Sequence, residues 1–111
     1  MTKITYDRDD LSVISEGHTG YAKEGQDIIC ASVTALMYAL GSYALELERR
    51  GMLHKAPRIK LEKGDAEVSI RVIGLYAGEA RRAFDAICDV FEAIGAKHPD
   101  CVKYKKIYEG I

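Results

Sequence analysis

A chain of 111 residues, 48% hydrophobic and 30% charged, falls in the range of one soluble globular domain spanning residues 1–111, with room for one core. Sixteen basic against seventeen acidic residues leave a formal net charge of −1, which removes any global electrostatic reason to expect direct nucleic-acid binding. The first residues, Met1 to Asp7, are too polar for a secretory signal, and no apolar run is read as approaching the roughly 20 residues of a membrane span, so a cytoplasmic protein with no membrane partner is expected.

In chain order, Lys3 to Tyr6 and Leu11 to Glu16 read as two short strands around the polar turn Asp7-Arg8-Asp9-Asp10. Asp27 to about Arg50 carries the apolar spacing of a long helix, with Gly51 as its C-cap and two arginines in the last turn, where the dipole favours cations. Arg58 to Glu62 and Ala66 to Val72 each alternate and are separated by Lys63-Gly64-Asp65, a hairpin signal. Gly78 to about Ala96 reads as a second helix with Ala80, Phe84, Ile87, Cys88, Phe91 and Ile94 on one face. The residues after Pro99 read as a polar tail in which Cys101 is incidental. These elements predict an α+β fold, a small mainly antiparallel sheet with two helices packed on one face.

Three cysteines, an odd number with no Cys-x-x-Cys pair, argue against a disulfide framework or structural zinc, and no metal or other cofactor is expected. Cys88 fits the core face of the second helix. Cys30 differs in context. It stands twelve positions after His18 (30 − 18), and glycine-rich sequence separates the two.

Cysteine attacks as the thiolate, so a nucleophilic role needs something that favours the sulfur anion. With Asp27 as N-cap, Cys30 falls at the third helical position, where backbone amides still lack partners and the dipole is positive. His18 is placed to take the thiol proton and return it to a leaving amine, and the same amides suit a developing oxyanion. On the helical wheel Ile29, Val33, Leu36, Met37, Leu40, Ala44 and Leu47 form one apolar stripe, with Cys30 at its edge in line with Met37 and Thr34. Gly17 and Gly20 let a substrate chain come close to the His18 loop, Gly25 adds a hinge before the helix, and Tyr21 is a candidate to close over bound peptide. Asp27 reads as a helix cap before it reads as an orienter of His18.

Gly17-His18-Thr19-Gly20-Tyr21-Ala22, followed by Gly25-Gln26-Asp27-Ile28-Ile29-Cys30-Ala31-Ser32-Val33-Thr34-Ala35-Leu36, resembles the signature of the ribosomal-processing cysteine protease family, Prp. The order of elements agrees over nearly the whole chain, ending at Lys97-His98-Pro99-Asp100. The resemblance implies a cysteine endopeptidase with His18 as base and Cys30 as nucleophile, forming a homodimer with a mobile loop from Gly20 to Gly25. It implies as substrate the N-terminal extension of large-subunit ribosomal protein twenty-seven, cut after an apolar, phenylalanine-containing stretch, or a phage scaffold or capsid protein. Thr19 and Thr34 depart mildly from the pattern, and the segment from Glu48 to Pro57 does not match the bacterial ribosomal branch, which keeps a phage member in view. Two readings from other classes stand beside this one: a non-catalytic ribosome- or capsid-assembly module of the same fold, and a thiol redox sensor, which lacks an evident resolving cysteine.

Overall fold

The computed structural model describes residues 1–17 and 28–108. Five strands, β1 (Thr2–Asp7), β2 (Ser12–Glu16), β3 (Arg58–Glu62), β4 (Asp65–Ser69) and β5 (Val102–Ile107), combine with two helices, α1 (Ile28–Arg49) and α2 (Ala77–Lys97), and a 3₁₀ turn at Gly74–Tyr76. The expected helices and hairpins are present with ends shifted by a few residues, and Val72 lies past β4, in an isolated bridge with Leu53. The sheet order is β3-β4-β2-β1-β5. Every neighbouring pair is antiparallel except β1 and β5, which run parallel.

Period-two alternation decides which sheet face is covered. Thr2, Ile4 and Tyr6 of β1, Val13 and Ser15 of β2, and Ala66 and Val68 of β4 are buried on one face, where α1 crosses β3 and β4 and α2 crosses β5. The opposite face carries Lys3, Glu67 and Lys105 and is left to solvent, which gives a two-layer α+β fold. Helix α1 buries Ile29, Val33, Met37, Leu40, Gly41, Ala44 and Leu47, and α2 buries Ala80, Phe84, Cys88 and Phe91. Gly41 extends the expected α1 stripe because the helix passes close to β3 there: a Cβ at this position would lie 3.5 Å from Ile59 Cγ2 and 3.6 Å from Leu61 Cδ1.

The segment read as a polar tail is a strand. β5 pairs with β1 from Thr2↔Val102 to Asp7↔Ile107, and both Cys101 and Val102 are buried. Only Val102 and Tyr104 face the core, three lysines occupy other positions, and the partner strand is at the far end of the sequence, so no local pattern announced it. Helix α1 corrects a second expectation: at 22 residues it is long and apolar enough, by length and composition, to cross a membrane. Here its buried stripe serves as a core helix face against the sheet.

The end of α1 follows the expected capping chemistry. Gly51 has φ +69°, its N–H donates to the Glu48 carbonyl at 3.0 Å, and the Met52 N–H donates to the Leu47 carbonyl at 3.0 Å. That paired return is a Schellman motif, which needs a left-handed residue after the helix.

Candidate active site

Cys30 is the third residue of α1, half-buried, on the flank of the helix that borders its buried stripe. At about 100° per residue Cys30, Thr34, Tyr38 and Gly41 share that flank, and Gly41 packs on β3, so the flank faces the β3 side of the sheet. Between this flank and the ends of β3, β4 and β2 lies a cleft of about 540 Å³. Cys30, Ala31, Thr34, Ala35 and Tyr38 form one wall; Leu61, Glu62 and the turn Lys63-Gly64 form the other; Thr2, Ser15, Val33, Met37 and Ala66 line its depth. Apolar walls with a few polar groups and a thiol suit the binding of a peptide segment.

Gly17 also lines the cleft. Its φ is +89°, and a Cβ there would fall 2.4 Å from the Met1 carbonyl oxygen, so only glycine fits. The Thr2 hydroxyl donates to the Gly17 carbonyl at 3.4 Å, which fixes the end of β2 against β1. His18 follows Gly17 directly in sequence. Of the residues expected to form the site, Gly17, Cys30 and Thr34 therefore meet in one cleft, while His18, Gly20, Tyr21, Gly25 and Asp27 lie outside the described residues.

Sequence reasoning missed Thr2, Ser15, Tyr38, Leu61, Glu62 and Asp65, which come from five elements that the topology brings to one end of the sheet. No spacing signal links them. Glu62, Lys63 and Asp65 give the rim charges of both signs, and the Lys60 ammonium donates to Asp65 Oδ2 at 2.6 Å. That bond, and the charges of Asp65 and Glu62, push the Lys60 ammonium up from its ordinary range.

The other two cysteines are elsewhere. Cys88 is fully buried on α2, and its thiol is pushed up to about 12, first by burial and then by the Asp85 and Asp89 carboxylates, so it stays protonated and inert. Cys101 is 8% exposed at the start of β5. Among the described residues no group of three or more His, Cys, Asp or Glu side chains is placed to hold a metal ion.

A family model described as "Cysteine protease Prp" matches residues 1–94, which include Gly17, His18, Cys30 and every described cleft residue. Solved structures similar to this chain include the essential ribosomal processing protease Prp from S. aureus with a covalently linked product peptide, at TM-score 0.68 and 18% identity over 96% of this chain and 100% of that chain. The same S. aureus protease with a substrate peptide gives TM-score 0.67 and 17% identity, again over 96% and 100%. SMU.848 from Streptococcus mutans gives TM-score 0.65 and 20% identity, over 97% of this chain and 93% of that chain. A search of curated proteins gives no match. At these identities the structural likenesses carry the fold, and the family match over most of the chain carries the enzyme class: the chain belongs to the Prp family of cysteine proteases.

Proposed function

We propose that this chain is an endopeptidase that uses His18 and Cys30 to remove a short N-terminal extension from a large-subunit ribosomal protein. The observation that carries the reading is Cys30 on the wall of a peptide-sized cleft, in the first turn of α1. The S. aureus relative supports it, as a ribosomal processing protease that takes peptides on the same fold.

In this mechanism His18 accepts the proton of Cys30 Sγ, and the sulfur attacks the scissile carbonyl carbon. First-turn N–H groups of α1, at the positive end of the helix dipole, receive the oxyanion. Collapse breaks the C–N bond, His18 protonates the leaving amine, and a thioester remains on Cys30. Water, losing a proton to His18, then attacks the thioester and releases the new carboxyl end. Gly17, Gly20 and Gly25 give the surrounding loop its backbone freedom, Tyr21 closes on the peptide, Asp27 caps α1, and Thr34 supports the wall one turn beyond Cys30. Two copies associate, a role for which exposed Ile28 and Leu45 on α1 are available, and the setting is the cytoplasm, where thiols stay reduced.

The test is cleavage read by mass spectrometry, with wild type and Cys30→Ala, on two peptides: the N-terminal extension of the ribosomal protein with its following residues, and a phage scaffold or capsid segment. Cleavage of the first by wild type alone is the expected result. Cleavage of the second only moves the substrate to a phage protein, and binding of either without cleavage replaces the reading with an assembly module.

A further inference from the structure

Strand β3 is an outer strand of the sheet as far as the described residues go, and its Leu61 and Glu62 line the cleft that Cys30 also lines. Hydrogen-bond parity shows which residues serve its outer edge. The Gly17 N–H donates to the Gly64 carbonyl at 2.9 Å and the Ile70 N–H to the Leu11 carbonyl at 3.1 Å, so Gly64, Ala66, Val68 and Ile70 bond toward β2. Asp65, Glu67 and Ser69 then bond toward β3, to Glu62, Lys60 and Arg58 in register. Ile59 and Leu61 are left with N–H and C=O directed away from β4, and among the described residues no strand pairs with that side.

We propose that the substrate docks by strand addition, as an extended segment hydrogen-bonded to Ile59 and Leu61 along the outer edge of β3. The proposal rests on the peptidase reading and names how that site holds its substrate. Three observations favour a peptide as the occupant. The edge is continuous with the cleft, because Leu61 belongs to both and Glu62 beside it lines the cleft. The flank of α1 from Cys30 to Gly41 runs about 16 Å (eleven steps of about 1.5 Å) and packs on β3 at Gly41, and the five residues of β3 span about 13 Å (four steps of about 3.3 Å). Side chains of an added strand alternate: those beside Ile59 and Leu61 enter under Tyr38 and Ala35, and those beside Arg58, Lys60 and Glu62 face solvent.

In either strand direction, only every second substrate N–H points at β3. The test is therefore an ester scan: in a synthetic peptide spanning the ribosomal extension and its following residues, each backbone amide in turn becomes an ester, which removes the N–H and keeps the side chain. Binding is measured on Cys30→Ala and kcat/KM on wild type. Weakening of about three- to tenfold at alternate positions over four or five consecutive residues is expected. Loss at every position alike, or only at the scissile amide, overturns strand addition while cleavage of the parent peptide keeps the peptidase reading. Alternation in binding without cleavage of the parent does the reverse. On the protein side, Ile59→Pro removes one edge N–H, a change edge strands tolerate, and is expected to weaken binding by a similar factor with the fold retained, whereas Lys60→Pro breaks the β3–β4 ladder. If Ile59→Pro instead splits a dimer into monomers and leaves peptide affinity unchanged, the edge pairs two copies and the proposal falls.

Discussion

The N–H of Gly17 donates to the carbonyl oxygen of Gly64 at 2.9 Å, a bond between two left-handed glycines that joins the end of β2 to the β3–β4 turn on the rim of the cleft. It sets the point from which the chain departs toward His18. Gly17→Ala places a Cβ 2.4 Å from the Met1 carbonyl oxygen at a φ of +89°, so backbone must move. We expect a loss of about 1–3 kcal/mol in urea unfolding together with a fall in kcat/KM, since the shift occurs at the site itself. Gly51→Ala also carries a positive φ but meets nothing within 4 Å, so it should lose stability and keep its kinetics.

How much of this was legible follows from where each signal is written. Alternation in residues 3–6, 12–16 and 58–62 and the apolar stripes of both helices are local, and each was readable. That Cys30 lies on α1 was readable for the same reason, because the apolar periodicity of the helix is local, whereas the expected Asp27 cap lies outside the described residues. Strand β5 was not, since its pairing with β1 is parallel and spans the chain, and its lysines hide the alternation. The opposing wall of the cleft was hidden too. Leu61, Asp65, Ser15 and Thr2 become neighbours only through strand order, which no spacing in the sequence encodes.

Alkylation kinetics should separate the three cysteines. Cys30 lines the cleft and is half-buried, while Cys88 is fully buried and Cys101 nearly so. Iodoacetamide on the folded protein, followed by peptide mapping, should modify Cys30 first and abolish cleavage in step with it, with Cys88 labelled only after urea. Labelling of Cys101 ahead of Cys30 would contradict the assignment.

Gly41 is the one glycine in the middle of α1 that is buried, and its surroundings leave room for a methyl group: the nearest atoms to an added Cβ are side-chain carbons at 3.5 and 3.6 Å. Gly41→Ala should therefore stabilise by up to about 1 kcal/mol through helix propensity, visible as a higher urea midpoint. Gly41→Leu should do the opposite, prising α1 from β3 and widening the cleft, with a rise in KM larger than any change in kcat.

Away from the cleft, the Tyr6 hydroxyl donates to Asp85 Oδ1 at 2.8 Å, and the Arg8 guanidinium donates to the same carboxylate at 3.1 Å. Tyr6 is fully buried, so Asp85→Ala strands its hydroxyl without an acceptor and should cost about 1–3 kcal/mol, whereas Asp85→Asn retains a carbonyl oxygen and should cost less. Neither residue lines the cleft, and kcat/KM below the melting range should stay at the wild-type value. A kinetic loss in Asp85→Asn with an unchanged Tm would show that this network reaches the site.

Alkaline pH should unfold the protein through its buried acids. Burial, aided by the Asp85 and Asp89 carboxylates, raises the Cys88 thiol from about 9 to about 12. Burial likewise raises the hydroxyls of Tyr6, which also bonds to Asp85, and Tyr104. In the unfolded chain these groups release their protons near their ordinary values, while the native state keeps them, so above about pH 9 the native state binds more protons and stability falls as pH rises. Cys88 alone contributes a slope of about 1.4 kcal/mol per pH unit between its unfolded and folded values. Urea midpoints should stay level up to about pH 9 and then decline toward pH 11. Cys88→Ala should begin lower, because it leaves a cavity, and decline less steeply, because one of the retained protons is gone. A wild-type midpoint that holds level to pH 11 would mean that these groups reach water in the native state, and the packing of α2 on β1 and β5 would need revision.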